Sequence, residues 1–465
     1  WPVALLALAA LSLNALQVWF ARYPTTEILT QYLLWTGVWA LVVWIERPER
    51  ANPFWGLLAG LMPGMVMLTR IDTYFLLGLV PVVAFWLAWI GRLRRAHAWF
   101  FLPLIGLAAW SLLHAVWQSA PYFYAIFGHV LRTLRPVWWL PPLAVAGSAA
   151  AALWMVRRRE SAGRLVPWLP WLQGAAAVGL LLLAAWGWFV RPFPTTEAAT
   201  WLDWYGGQPL TNYDHENLRR LGWYLSPVGV WLGVVGAAWW AYRPKRATTL
   251  LLAIGLFFSL LYLWRIQANP HQIYAMRRHV PVTLPFFVSS AALFCGMLWA
   301  APRRWQQGLG VVLALLWLGG NAWSARGFVS QVDYRGLISQ VAALDRQLDP
   351  GSVLIFDDQT PVGQGDILGT PLRFLHGHTV FTLWDPDTVE GGRLMAAVAE
   401  WQAGGRTVYW VGPPDWPDAF GLPYTTAVVT ISTAALEGTY DRKPTQIVPF
   451  VIELSLHRLE PVRTP

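Results

Sequence analysis

The sequence predicts an α-helical polytopic membrane protein with about eleven transmembrane helices and a C-terminal extracytoplasmic α/β domain. Three observations predict this. The first is composition: 56% of the 465 residues are hydrophobic and 13% are charged, outside the range of soluble domains. Mean hydropathy is +0.41. The second is Trp, present 33 times, a residue that favours the membrane–water interface. The third is a split in charge. Residues 1–324 hold 24 Lys and Arg against 9 Asp and Glu, whereas residues 325–465 hold 10 against 16. The basic residues lie in short loops between apolar runs, so the membrane explains the net charge of +9 and nucleic acid is not a predicted partner.

Runs of about 17–25 apolar residues are long enough to cross a bilayer as helices. They fall at 1–19, 27–45, 54–69, 72–90, 98–117, 137–156, 165–190, 223–242, 247–264, 280–300 and 308–324. Alternate loops carry basic clusters: "ERPER" (46–50), "GRLRRAH" (91–97), "RRRESAGR" (157–164), "YRPKR" (242–246) and "PRR" (302–304). The positive-inside rule puts these in the cytoplasm. The remaining loops then face outward, with the acids Glu27, Asp72, Glu197, Asp203, Asp214 and Glu216. Any carboxylate chemistry of the membrane part must come from that short set.

Residues 1–324 form the predicted membrane domain and 325–465 the extracytoplasmic, Rossmann-like α/β domain. In the latter, "SVLIFDD" (352–358), "TVFTLWD" (379–385) and "TVYWVG" (407–412) read as buried strands. Segments 365–377 and 388–402 read as helices between them, and 425–433 and 449–459 as later strands. Gly363, Gly365 and Gly369 after the first strand, with Asp385 ending the next, imitate a dinucleotide fingerprint, but the glycine spacing is off. His376 and His378 alternate at a strand start, as metal ligands or as an ordinary polar turn. The single cysteine, Cys295, excludes an intrachain disulfide and leaves the redox compartment unread. The chain begins at Trp1 inside an apolar segment, which suggests that an N-terminal part precedes it.

Four outer stretches carry candidate site residues. In "RYPTTEILTQYLL", Glu27 complements the dipole at a helix start, and with Arg22 it also faces an outer cavity. In "LTRIDTYF", Arg70 and Asp72 stand between two apolar runs, as a local ion pair or a functional one. In "TNYDHENLRRLGWYLSP", Asp214, His215 and Glu216 are a polar site or a solvated loop, and Arg219 and Arg220 can meet lipid phosphate. In "YAMRRHVPVTLP", Arg277 and Arg278, with Tyr274, oppose the orientation rule on the outer side; phosphate binding is one reason, head-group contact another.

The order of these motifs and the multi-span layout resemble the GT-C type membrane glycosyltransferases, in particular protein mannosyltransferases and lipid A aminoarabinose transferases. The resemblance covers most of residues 1–324 and rests on "RYPTTEILTQYLL", "GLMPGMVMLTRID", "NLRRLGWYLSPVGV" and "YAMRRHVPVTLP". It implies a polyprenyl-phosphate-linked sugar donor in the outer leaflet, an acceptor hydroxyl, and a multi-pass plasma-membrane location. It also implies a base in the first external loop, and a second acid in the next one. Glu27 matches the second; if the first visible span is the family's third, the first acid precedes Trp1, and the chain as it stands would lack activity. On this reading Glu27 and Asp72 are the catalytic candidates, and Arg22, Arg70, Arg219, Arg220, Arg277, Arg278 and Tyr274 bind phosphate or substrate. A divalent metal is admitted but no ligand set is evident. The competing readings are a transporter or flippase of lipid-linked sugars, which calls for a polar path between helices, and a non-catalytic anchor that presents the external domain.

Overall fold

The computed structural model describes residues 1–23, 25–46, 53–89, 95–124, 166–192, 213–245, 248–266, 270–357, 365–383 and 389–461, with a few positions between. The predicted span at 137–156 lies almost wholly outside these residues, as do Glu197, Asp203, Gly363 and Asp385. The chain divides into two compact units. The first comprises 1–194, 214–268 and 274–329; the second comprises 195–213, 269–273 and 330–465.

The first unit is helical. Its helices are α1 (Pro2–Ser12), α2 (Ala15–Phe20), α3 (Thr26–Glu46), α4 (Pro53–Thr69), α5 (Leu79–Trp89), α6 (Ala98–Trp117) and α7 (Leu169–Ala185). They continue with α8 (Asn217–Leu225), α9 (Pro227–Tyr242), α10 (Thr249–Trp264), α11 (Thr283–Trp299) and α12 (Arg304–Ala325). Among the described residues four helical stretches are long and apolar enough to cross a membrane: Thr26–Glu46, Arg95–Trp117, Leu169–Val190 and Arg304–Ala325. A fifth arises if the bent pair Asp214–Leu225 and Pro227–Tyr242 is counted as one span. Pro2–Ser12, Pro53–Thr69, Ile71–Phe85, Thr249–Trp264 and Thr283–Trp299 are apolar but shorter.

Two of the predicted runs are interrupted for local reasons. The run 1–19 breaks at Asn14, whose side chain accepts from the Leu16 and Gln17 amides and so caps α2. Its amide also donates to the Tyr224 carbonyl at 3.0 Å, fixing the break against α8. The run 223–242 bends by 111° at Ser226, where φ is 62° and the hydroxyl caps α9 through the Gly229 amide. Close helix contact elsewhere depends on glycine: a Cβ at Gly236 of α9 would strike the Ser290 carbonyl of α11. Helices α3, α4, α6 and α10 share one apolar core that includes Leu34, Leu41, Phe100, Leu104 and Phe258.

The second unit holds helices α13 (Leu337–Asp345), α14 (Thr370–His376), α15 (Gly391–Ala403) and α16 (Asp415–Ala419). Its strands are β1 (Val353–Asp357), β2 (Thr379–Leu383), β3 (Val408–Val411), β4 (Tyr424–Leu436) and β5 (Ile447–Leu459), in sheet order β2-β1-β3-β5-β4. The first three are parallel, with Val353 opposite Thr379 and Val408; β5 pairs antiparallel with β3 and β4. β1 and β3 are buried on both faces, which is why they read as continuous apolar runs. Helices α13 and α14 pack on one apolar layer with Leu354 and Phe356, and α15 on another with Val353 and Ile355.

Candidate functional site

The site forms where α3 begins and α4 ends. Thr30 and Thr69 hydroxyls meet at 2.9 Å and tie the two helices together. One residue later the chain leaves the helix: Arg70 is extended, and a 3-10 turn over Ile71–Gly78 follows. Thr73 holds that reversal by donating to the Arg70 carbonyl at 2.6 Å. The Arg70 side chain therefore points back toward the start of α3.

Arg70 bridges two carboxylates. Its Nε and Nη2 donate to Asp72 Oδ1 and Oδ2 at 3.0 and 2.7 Å, and its Nη1 donates to Glu27 Oε1 at 2.8 Å. Two further groups converge on Asp72 Oδ2: Arg278 Nη1 at 2.8 Å and the Tyr262 hydroxyl at 2.6 Å. Arg277 Nε lies 3.8 Å from Glu27 Oε1, an ion pair beyond hydrogen-bond reach. Its guanidinium sits 3.9 Å from the centroid of the Tyr274 ring. Among the described residues three guanidiniums thus face two carboxylates, a formal excess of one positive charge. Glu27 and Arg70 are almost completely buried, whereas Arg277 and Arg278 are about a quarter exposed, with side-chain values of 26% and 21%. The two accessible cations are therefore the ones an incoming anion would meet.

The carboxylates differ in what they have left to offer. Asp72 accepts from three side chains. Glu27 Oε2 is shielded from solvent and has no hydrogen-bond partner among the described residues. Among the described residues no group of three or more His, Cys, Asp and Glu could hold a metal ion.

Five of the predicted residues, Glu27, Arg70, Asp72, Arg277 and Arg278, come together here, with Tyr274 behind Arg277. The others do other work. Arg22 lies over the Trp19 ring and donates to the carbonyls of Phe328 at 2.6 Å and Val329 at 3.1 Å, beyond the end of α12. Arg219 donates to the Trp188 carbonyl, and the buried Arg220 pairs with Glu216 at 3.0 Å. His215 lies 3.9 Å from Glu216. Asp214 accepts from the Ile266 amide at 2.9 Å and from Asn217, which also donates to the Tyr262 carbonyl at 3.1 Å. The polar patch 214–217 thus clamps the end of α10, the helix that delivers Tyr262. A neighbouring face of α10 lines an apolar cavity with Leu260, Leu263, Phe286 and Phe287 in its wall.

Sequence reasoning missed Tyr262, near the end of an otherwise apolar helix. It also missed His279, fully buried with its ring edge-on to Tyr262 at 6.4 Å between centroids. In the α/β unit, His376 and His378 both turn onto Asp345, at 3.0 and 2.9 Å, and Ser352 meets the other nitrogen of His378 at 2.9 Å. Ser352 and His378 are sealed from solvent, so this chain of contacts fastens α13 and α14 to the starts of β1 and β2. No family model matches the chain, and no curated protein does.

Proposed function

We propose that this protein is a GT-C-like membrane glycosyltransferase that moves a sugar from a polyprenyl-phosphate donor to an acceptor hydroxyl at the outer face of the plasma membrane. The proposal includes about eleven spans and an extracytoplasmic placement of residues 325–465. The observation that carries it is the buried cluster in which Arg70 bridges Glu27 and Asp72 while Arg277 and Arg278 remain accessible.

The chemistry follows from that arrangement. The donor's phosphate meets Arg277 and Arg278, which stabilise negative charge as it grows on the leaving group. The acceptor's hydroxyl donates to Glu27 Oε2. As the acceptor oxygen bonds to the anomeric carbon, its proton passes to Glu27. The bond from that carbon to the phosphate oxygen breaks, and the electron pair leaves with the lipid phosphate. Asp72 holds Arg70, Arg278 and Tyr262 in register. The apolar cavity beside α10 suits the isoprenoid chain.

Glu27→Gln keeps the shape and the Arg70 contact but cannot take a proton. In the full-length protein, sugar transfer is expected to fall by about 10²–10⁴-fold. Unchanged turnover would remove Glu27 from the mechanism. Orientation has its own test, because the Arg393 side chain is 85% exposed. Arg393→Cys should react with a membrane-impermeant thiol reagent in intact cells. Reaction only after lysis would reverse the topology.

A further inference from the structure

A second set of polar groups, which the proposed transfer does not use, lies on α2, on α3 and just before the start of α3. Gln31 lies one turn along α3 on the same buried face, and Gln17 of α2 reaches across to it, its Nε2 donating to Gln31 Oε1 at 2.9 Å. The other halves of both amides, Gln17 Oε1 and Gln31 Nε2, are shielded from solvent and have no hydrogen-bond partner among the described residues. The same holds for Thr25 Oγ1, two residues before Glu27. Glu27 is 2% exposed and Gln31 7%. Buried polar groups are seldom left without partners, and each unmet one costs about 1–3 kcal/mol.

The kind of partner they would accept can be read from their chemistry. Gln31 Nε2 donates, Gln17 Oε1 accepts, and the Thr25 hydroxyl does both. Exchanging oxygen and nitrogen in the two amides again leaves one donor and one acceptor, so this balance does not depend on how they are assigned. A phosphate offers only acceptors and is served by Arg277 and Arg278. A sugar hydroxyl both donates and accepts, as this mixed, uncharged set requires.

We infer that Gln17, Gln31 and Thr25 form a subsite for the neutral hydroxyls of the transferred sugar, and that Gln31 sets which sugar is preferred. The inference rests on the glycosyltransferase reading and deepens it. It places the sugar on the α2–α3 side of Glu27 and the phosphate on the arginine side, with Glu27 at the junction.

The test uses the full-length protein in detergent and soluble lipid-phosphate probes. These are citronellyl phosphate alone and citronellyl phosphates carrying glucose, mannose, galactose or N-acetylglucosamine. At least one glycosylated probe should bind tighter than the bare phosphate. Gln31→Leu should reduce that advantage by about tenfold and leave the bare phosphate within twofold. Gln17→Leu should do the same, and serves if Gln31→Leu does not fold, as judged by burial of Cys295 against a thiol reagent. An advantage that survives both substitutions overturns the inference. So does the absence of any glycosylated probe that beats bare phosphate, while bare phosphate still binds and weakens in Arg277→Ala. Failure of bare phosphate to bind overturns the transferase reading as well.

Discussion

Asp72→Asn removes one charge at the point where the cluster is tied together, and its cost can be worked from the contacts. Asp72 receives two bonds from Arg70, one from Arg278 and one from Tyr262, at 2.6 to 3.0 Å. Four bonds to a charged acceptor, at about 1.5–3 kcal/mol each, would give a figure above any single-residue norm. Asp72 keeps 17% of its side chain exposed and Arg278 21%, so water recovers part of the loss. Breaking a buried pair costs about 3–5 kcal/mol, and the lower end, about 3 kcal/mol, applies here. Cys295 supplies the assay: it is the only thiol and is fully buried on α11. If labelling requires the helical unit to open, about 3 kcal/mol quickens it roughly 100-fold. Tyr262→Phe should cost about 1.5 kcal/mol alone and much less beside Asp72→Asn, a coupling of at least about 1 kcal/mol. A labelling rate for Asp72→Asn within threefold of the parent, or a Tyr262→Phe effect of equal size in both backgrounds, would refute the reasoning.

Three further outcomes test other parts of the molecule. In the α/β unit, Arg442 forms a fork on Glu437, and the Thr445 and Gln446 amides add to it, so the carboxyl falls from 4.5 to about 2. A lowered folded value stabilises above pH 4.5, and this stabilisation is lost as pH falls through about 2; pepsin cleavage within 424–459 should rise over that window, and less steeply in Glu437→Gln. Gly236→Ala must part α9 from α11 at the Ser290 carbonyl, which should cost about 1–3 kcal/mol and be seen as faster labelling of Cys295. Arg22→Ala loses the bonds to the carbonyls of Phe328 and Val329, so it should destabilise the protein while leaving citronellyl phosphate binding within twofold, unlike Arg277→Ala.

Much of this cluster was legible because charge is scarce in residues 1–324. A buried acid or arginine between apolar runs needs a partner, and Glu27, Arg70, Asp72, Arg277 and Arg278 turn out to be partners of one another. Arg22, Arg219 and Arg220 fall outside that cluster, and their guanidiniums meet carbonyls and a local acid. Sequence cannot separate an arginine kept for a ligand from one that finishes a helix end, because both sit at the edge of an apolar run. Tyr262 was illegible for another reason. It closes a contact across 190 positions, and nothing in "FFSLLYLW" marks one side chain as facing a carboxylate. In the α/β unit, strands at 353–357 and 408–411 fall where the apolar runs are, since strands buried on both faces need no alternation to be seen, and the part-buried strand 379–383 lies beside them. The helix breaks at Asn14 and Ser226 were missed because hydropathy averages across a single polar residue, whereas a cap acts through one hydrogen bond.

The difference between the two carboxylates argues for a division of labour. An oxygen that already receives three donors, as Asp72 Oδ2 does, has little directional room for a fourth. Its neighbours would also have to move before it could receive a substrate proton. Among the described residues Glu27 is held through Oε1, which fixes the side chain and leaves the buried Oε2 without a hydrogen-bond partner. Arg70 makes this possible by gripping both acids at once. A shift of Arg70 would therefore disturb the anchored acid and the open acid together. On the proposed glycosyltransferase reading, Asp72 is a positioning residue and Glu27 is the one that would touch the reacting hydroxyl. The kinetic signatures should differ accordingly. Loss of Glu27 should reduce turnover with lipid-phosphate affinity retained, whereas loss of Asp72, which releases Arg278, should weaken that affinity as well.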